Sequence, residues 1–350
     1  MVDLASADVA PVRADEQMDW SALSRWLRSE IPDLAGDMKV AQFHGGHANL
    51  TYCLTLGDRE LVVRRPPLGE IAPGAHDMAR EYRVLRGLAP HFDQAPKAYA
   101  YCEDVSVIGA PFIVMERCTG VIIRDSLPTE FAASPTLARD VSFALVDALV
   151  ALQSVDVDQV GFGNRGRAAS FVERQLDGWH KRWSLASDGI PDAAFERAYE
   201  MLCASRPETT RICVVHNDLK LDNCLFDPRN PCRVGVILDW DMTTIGDPLV
   251  EFGTLLGYWK EAGDGFERAP TIGLDMAAFP SRAQMIERYQ TMGGQIDNLA
   301  WYEAFALWKH AVVLKQLHLR FARGESQDER FAEFPDYIPG LIEGAQVLLR

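Results

Sequence analysis

The sequence predicts an α+β fold in two parts, a smaller one built on antiparallel strands and a larger one that is mostly helical. Three observations predict it. Short apolar runs separated by Gly- and Pro-rich turns fill residues 38–117, broken by a single amphipathic helix. From residue 135 onward apolar positions recur at helical spacing. Set within those helices, Val214 to Asp241 reads V-V-H-N-D-L-K-L-D-N-C-L-F-D-P-R-N-P-C-R-V-G-V-I-L-D-W-D, a strand, a polar loop and a hairpin with its polar residues at the strand ends.

A chain of 350 residues is long enough for two lobes with their own cores. Its 48% hydrophobic and 24% charged content is that of an ordinary soluble globular protein. The net charge of −15 argues against a nucleic acid or an anionic membrane as the main partner. Seven cysteines, odd in number and without C-x-x-C spacing, suggest reduced thiols in core packing rather than disulfides or zinc. No signal peptide is visible in Met1 to Gln17, which reads as a flexible tail, and no run approaches the length that spans a bilayer. The expected location is cytoplasmic.

In chain order, Asp19 can cap a helix from Trp20 to about Ser29 whose apolar face is Leu23, Trp26 and Leu27. Val40 to Tyr52 forms a hairpin around Gly45 and Gly46, whose backbone N–H groups can approach phosphates. His44 and His47 flank the glycines as exposed turn residues. After a Gly57-Asp58 turn, Arg59 to Arg65 is a strand whose alternation puts Arg64 and Arg65 on opposite faces. His76 to Leu88 is a helix with Met78, Tyr82 and Leu85 in the core and Glu81 beside that stripe. Lys97 to Glu103 and Pro111 to Glu116 bring the strands to five.

The larger part opens with a scaffold helix, Pro135 to Val155, buried through Leu137, Val141, Leu145, Ala148 and Leu152. In the next helix, Ala168 to Leu185, Arg174 and Arg182 share a face two turns apart. That face either holds an anion or is solvated, with Trp179 packed inward. Pro191 to Ser205 is a further helix. The strands of the central stretch are Ile212 to Val215, Cys224 to Phe226 and Val234 to Leu238, with Asp227 to Cys232 as the turn. Asp247 caps a following helix, and helices at 282–292, 298–323 and 328–349 complete the chain. Trp301, Tyr302, Phe305, Trp308 and His310 concentrate aromatics on one segment, which ordinary burial tendencies make core.

The chemistry lies at the strand ends. His216, Asp218 and Asn223 fall on the first loop and Asp239 and Asp241 after the last strand, an array of hard oxygen ligands of the kind Mg²⁺ prefers. The bland alternative is a strand–turn–strand with solvated ends, but order, spacing and hairpin context argue together against it. H-x-D-x-x-x-x-N followed by a hairpin ending in Asp resembles the catalytic core of kinase-like phosphotransferases, above all the aminoglycoside/choline phosphotransferase family. The runs R-R-P-P-L-G and F-V-E-R-Q-x-x-x-W look closest to the branch related to phosphotransferase domains fused to acyl-CoA dehydrogenases.

The resemblance spans about residues 38–345. It implies a two-lobed protein-kinase-like fold, a small antiparallel-sheet N-lobe (18–117) plus one helix and a larger mostly helical C-lobe (118–350), with ATP in the cleft. It implies Asp218 as the base, His216 bracing its loop, Lys220 against the transferring phosphoryl group, and Asn223 and Asp239 as Mg²⁺ ligands. Gly45 and Gly46 would cover ATP, Arg64 would grip its phosphates and pair with Glu81, and Met115, Glu116 and Cys118 would meet the adenine. Arg64 departs from the usual Lys; it keeps the charge but is not equivalent. No long activation segment fits after Asp241, which favours a small-molecule hydroxyl acceptor with no obligate protein partner. A hydroxyacyl-CoA or hydroxy acid is the first expectation; an aminoglycoside, choline or sugar kinase is the alternative within the family. A non-catalytic nucleotide-binding protein on the same fold is the alternative outside catalysis.

Overall fold

The computed structural model describes residues 8–44, 49–68, 76–128, 131, 136–162, 170–227, 229–270, 274–326 and 328–350. The strands are β1 (Val9–Ala10), β2 (Met38–Phe43), β3 (Leu50–Leu56), β4 (Arg59–Arg65), β5 (Ala98–Cys102), β6 (Phe112–Glu116), β7 (Cys213–Val215), β8 (Cys224–Asp227), β9 (Asn230–Ile237) and β10 (Thr244–Gly246). The helices are α1 (Trp20–Glu30), α2 (Met78–Leu88), α3 (Val105–Ile108), α4 (Leu137–Gln153), α5 (Phe171–Ala186), α6 (Ala193–Ala204), α7 (Pro248–Gly257), α8 (Arg282–Thr291), α9 (Leu299–Ala322) and α10 (Phe334–Leu348).

The small lobe is a six-stranded sheet in the order β1-β2-β3-β4-β6-β5, antiparallel at every pairing. Strand alternation gives it two faces. Leu61, Val63, Phe112 and Val114 point to one, where Leu23 and Leu27 of α1 close a core of their own and Trp26 meets Phe112 edge-on at 4.8 Å. Val62, Ile113 and Met115 point to the other, where α2 packs through Val84, Leu85 and Leu88. Arg64 lies on this second face, opposite Thr51 and Ile113 in the ladder. Asp19 and Asp77 cap α1 and α2 by accepting from Ala22 N and Arg80 N.

In the large lobe α9 is the central element, buried through Trp301, Tyr302, Phe305 and Trp308 and packed against α7 and α10. The expected aromatic segment is therefore core. Phe195 stacks between Trp183 (4.0 Å) and Trp308 (4.8 Å), tying α5, α6 and α9 together. The β8–β9 hairpin rests on α4, and β7 pairs with β10, so the polar loops at their ends emerge together toward the small lobe.

Several expectations need correction. Residues 8–17 are not a tail: Val9 and Ala10 pair with Phe43 and Gln42, making the sheet six-stranded rather than five-stranded. The cause is a buried amide. Gln42 Oε1 accepts from Arg13 N at 3.0 Å and its amide nitrogen donates to Glu16, while the Tyr52 hydroxyl donates to Glu16 O at 3.1 Å. The turn expected over 227–232 is shorter, because β9 starts at Asn230. The last helix is split; a 3-10 turn capped by Asp328 precedes α10, whose start is set by Pro335 in its first turn, where no N–H is needed. All seven cysteines are unpaired thiols. Among the described residues no helix is long and apolar enough to cross a membrane.

Deleting residues 1–17 strands the buried Gln42 side chain and is expected to cost about 2 kcal/mol. An unfolding midpoint in urea that does not move on truncation would restore the tail.

Candidate active site

The site forms where the β7–β8 loop, the residues after β9 and the α2 side of the sheet converge. His216 is fully buried against Trp240, ring centroids 4.9 Å apart. Its Nε2 donates to Leu238 O at 2.9 Å and its Nδ1 accepts from Asp218 N at 3.3 Å, partners that assign the neutral tautomer. Burial pushes the ring below the ordinary histidine value, so it braces the loop without carrying charge.

Asp218 leaves this buried base half-exposed. The Asn223 amide donates to Asp218 Oδ2 at 2.9 Å and to Asp218 O at 2.8 Å, which turns the Asn223 side-chain oxygen away from Asp218. Lys220 Nζ lies 3.6 Å from Asp218 Oδ2 and 3.5 Å from Asp222 Oδ2. Burial works against its charge, but Asp218 leads the groups that outweigh burial and hold the ammonium above the usual lysine range. Asp239 has a left-handed backbone, φ 63°, that swings its side chain out of the strand direction toward the small lobe.

There Arg64 joins the lobes. Its Nη2 is 2.5 Å from Asp239 Oδ1 and its Nε is 3.4 Å from Glu81 Oε2. Burial alone would raise the Asp239 carboxyl, but the Arg64 charge and hydrogen bond hold it below the ordinary carboxylate value. Glu81 is 1% exposed, and burial pushes its carboxyl up to about 7 against the pull of Arg64. Arg65 faces the other way, donating to Ile108 O at 2.6 Å. Met115 is buried on the Arg64 face; Glu116 N donates to Lys97 O at 2.8 Å, and the Glu116 carboxylate accepts from Lys97 N at 3.2 Å. Cys118 is half-buried just beyond. Gly45, Gly46 and His47 lie outside the described residues; His44 is exposed, its Nε2 3.1 Å from Pro11 O.

The structure thus brings Asp218, His216, Lys220, Asn223, Asp239, Arg64 and Glu81 into one array. It does not bring in Arg174 and Arg182. Arg174 bonds to Ser170 and Arg182 lies over the inward-packed Trp179 ring at 4.3 Å, so the face expected to hold an anion is partly occupied by its own contacts. The space beside the loop is lined instead by Lys220, Asp222, Leu255, Tyr258, Trp259 and Met276, among others.

Asn49 and Lys309 were not singled out in the sequence, and Glu251 was placed only with Asp247 at the start of the helix below the site. Asn49 lies between His76 Nδ1 (2.8 Å) and the Arg64 guanidinium; with its oxygen on the guanidinium it accepts at 3.0 and 2.7 Å. Glu251 Oε1 accepts from His216 N (2.8 Å) and Asn217 N (2.9 Å), anchoring the loop to α7, whose first turn Asp247 caps. Lys309 donates to Asn217 O at 3.2 Å. The signals were weak ones: an Asn before Asp218, a residue type tolerant of left-handed backbone, and a lone cation in the apolar run A-F-A-L-W-K-H-A-V-V-L.

Two lobes, a cation bridging a helical Glu and a cleft Asp, and an Asp–Asn loop facing them define a kinase-like phosphotransferase fold. A family model described as the phosphotransferase enzyme family matches residues 39–285, and the chain belongs to that family. It is 31% identical over 333 residues to acyl-CoA dehydrogenase family member 10 of Mus musculus, covering 92% of this chain and 30% of that protein. It is 29% identical over 334 residues to family member 11 of Rattus norvegicus, covering 92% of this chain and 42% of that one. The chain therefore spans less than half the length of these relatives. Among solved structures, a Ralstonia eutropha protein assigned as an aminoglycoside phosphotransferase superposes with a TM-score of 0.76 at 27% identity, covering 95% of this chain and 98% of the other. A thermostable mutant of an aminoglycoside phosphotransferase, solved with AMP-PNP and hygromycin B, shares the fold at 16% identity and a TM-score of 0.58, covering 94% and 98%.

Removing one partner of the buried Arg64–Glu81 pair is expected to destabilise more than removing both. Arg64→Met should cost about 3 kcal/mol in urea unfolding, and adding Glu81→Leu should recover most of it. A double variant as unstable as the single one would show that the pair does not set the cost.

Proposed function

We propose that this chain transfers the γ-phosphoryl group of ATP, with Mg²⁺, to a hydroxyl of a small molecule. The observation that carries the reading is that Asp218, bonded to Asn223, and Asp239, bonded to Arg64 of the small lobe, stand at neighbouring strand ends that His216 ties together through Leu238 O. Mg²⁺ needs few protein oxygens when phosphates supply the rest. The Asn223 side-chain oxygen, freed by the amide's bonds to Asp218, and the second Asp239 oxygen fit that need and would hold the ion, which supplies charge neutralisation when bound. Arg64 would turn from Asp239 onto the phosphates while Glu81 holds its stem end. Lys220 stands beside Asp218, where charge builds on the transferring group, and Asp218 accepts the acceptor's proton. The Glu116 carbonyl and Cys118 amide, with Met115 behind them, are the groups proposed for the adenine, and Gly45 and Gly46 for the phosphates.

For the acceptor the reading is a hydroxyacyl-CoA or a related hydroxy acid. The space beside Lys220 is walled by Leu255, Tyr258, Trp259, Leu274 and Met276, which suits an apolar chain carrying a hydroxyl toward Asp218. The relatives' name, acyl-CoA dehydrogenase family members, is in keeping with an acyl acceptor. An aminoglycoside calls for a carboxylate-lined pocket, whereas Asp222 here is already paired with Lys220. Choline would meet Lys220 and Arg124 as well as the aromatic rings.

The test is ADP release by the purified protein with Mg-ATP across hydroxyacyl-CoAs, hydroxy acids, amino alcohols, sugars and aminoglycosides. Asp218→Ala is expected to lower acceptor-dependent turnover by about 10³-fold or more with little change in Mg-ATP binding. Wild-type turnover in that variant would remove Asp218 as the base, and turnover confined to aminoglycosides would overturn the acceptor.

A further inference from the structure

Helix α9 is apolar around most of its circumference between Trp301 and Leu314, yet Lys309 stands in the middle of that stretch and is 5% exposed. A lysine so placed ordinarily carries its charge out to water along its flexible stem. This one turns to the back of the catalytic loop instead. Its Nζ donates to Asn217 O at 3.2 Å and lies 5.4 Å from the centre of the Trp179 ring.

Asn217 immediately precedes Asp218 and has φ 70°, a left-handed backbone that reverses the chain there. Four polar groups of the reversal are tied down. The amides of His216 and Asn217 donate to Glu251 Oε1, the Asn217 side chain donates to Met242 O at 2.9 Å, and the Asn217 carbonyl is taken by Lys309. Glu251 Oε2 has no hydrogen-bond partner among the described residues. A methionine at 309 would fill similar volume but would leave the buried Asn217 carbonyl without its donor. What the ammonium supplies is a hydrogen bond to the turn rather than apolar filling.

We propose that Lys309 is a positioning residue: by holding the Asn217 carbonyl from behind, it fixes the reversed turn that aims Asp218 into the cleft. This rests on the reading of Asp218 as the base. The charged groups facing Lys309 are Glu251 from α7, Asp218 and Lys220 from the loop and Arg182 from α5, with neutral His310 beside it on α9. Burial outweighs the two carboxylates and pushes the ammonium down to about 8. Turnover is thus expected to fall as pH rises through about 8. Stability moves the opposite way: a lysine held below its unfolded value releases its proton on folding, so the fold gains stability between about 8 and 10.5. Alkaline loss of turnover is then not unfolding of this group's making.

The experiment compares wild type, Lys309→Met and Lys309→Gln as full-length proteins. It measures thermal midpoint, Mg-ATP affinity, the pH profile of turnover, and hydrogen exchange of a peptide covering residues 213–221. Lys309→Met is expected to keep Mg-ATP affinity within about threefold, lose turnover about 100-fold and lose the limb near pH 8. Exchange should rise in the turn peptide while α2 and α4 keep their protection. Lys309→Gln retains a donor without the charge; it should keep more turn protection yet also lose the alkaline limb, and it carries the comparison if the methionine variant fails to fold. Wild-type exchange in the turn peptide with an unchanged pH profile overturns the proposal. Asp218→Asn runs alongside: turnover surviving in that variant sinks the base assignment, whereas the exchange data still decide what Lys309 does.

Discussion

Arg64 carries a charge that burial makes costly, and carboxylates from both sides of the cleft meet it. Glu81 comes from the helix that packs under the sheet and Asp239 from the hairpin of the other lobe, so one guanidinium fixes how the sheet, α2 and the hairpin face each other. A lysine at this position is a single point charge; a guanidinium has five N–H groups in a rigid fork and needs more acceptors around it. Asn49, at the edge of β3, meets that need from a third direction and is itself held by His76. The exchange of Lys for Arg is therefore an exchange of a whole hydrogen-bond set rather than of one side chain.

The loop that carries Asp218 obeys a related rule. The Asp218 carboxylate stands at the surface of the cleft while the residues that hold its loop are buried: His216 on Leu238 O, the backbone amides on Glu251, the Asn217 carbonyl on Lys309. Buried partners hold geometry well because water cannot compete for their hydrogen bonds and because an unmade bond there costs the full desolvation of the group. The same burial pushes Glu251 up to about 7 and Lys309 down to about 8.

Much of the fold was legible because the signals were local. Apolar runs bounded by Gly and Pro turns located β4 and β6, and helical periodicity located α2, α4 and α9 within a few residues. Alternation alone separated Arg64 from Arg65, and the structure puts them on opposite faces with different partners. The first strand escaped notice because its two residues have no pattern of their own; they are ordered by the edge of β2 and by the buried Gln42. The helix with Arg174 and Arg182 shows the converse failure, since shared helical phase says nothing about which neighbours a long side chain finds.

By itself the sequence determined the order of the main elements, the family, and the loop and hairpin residues that meet at the cleft, because H-x-D-x-x-x-x-N and the following strand pair are short-range and their spacing dictates their mutual reach. Tertiary structure alone decided what stands behind those residues. Asn49 and Arg64, Glu251 and His216, Lys309 and Asn217 are brought together by chain reversals and helix packing across long sequence separations. A hydrogen bond across such a distance leaves no periodicity for a sequence to display, since its partners are chosen by where whole elements pack.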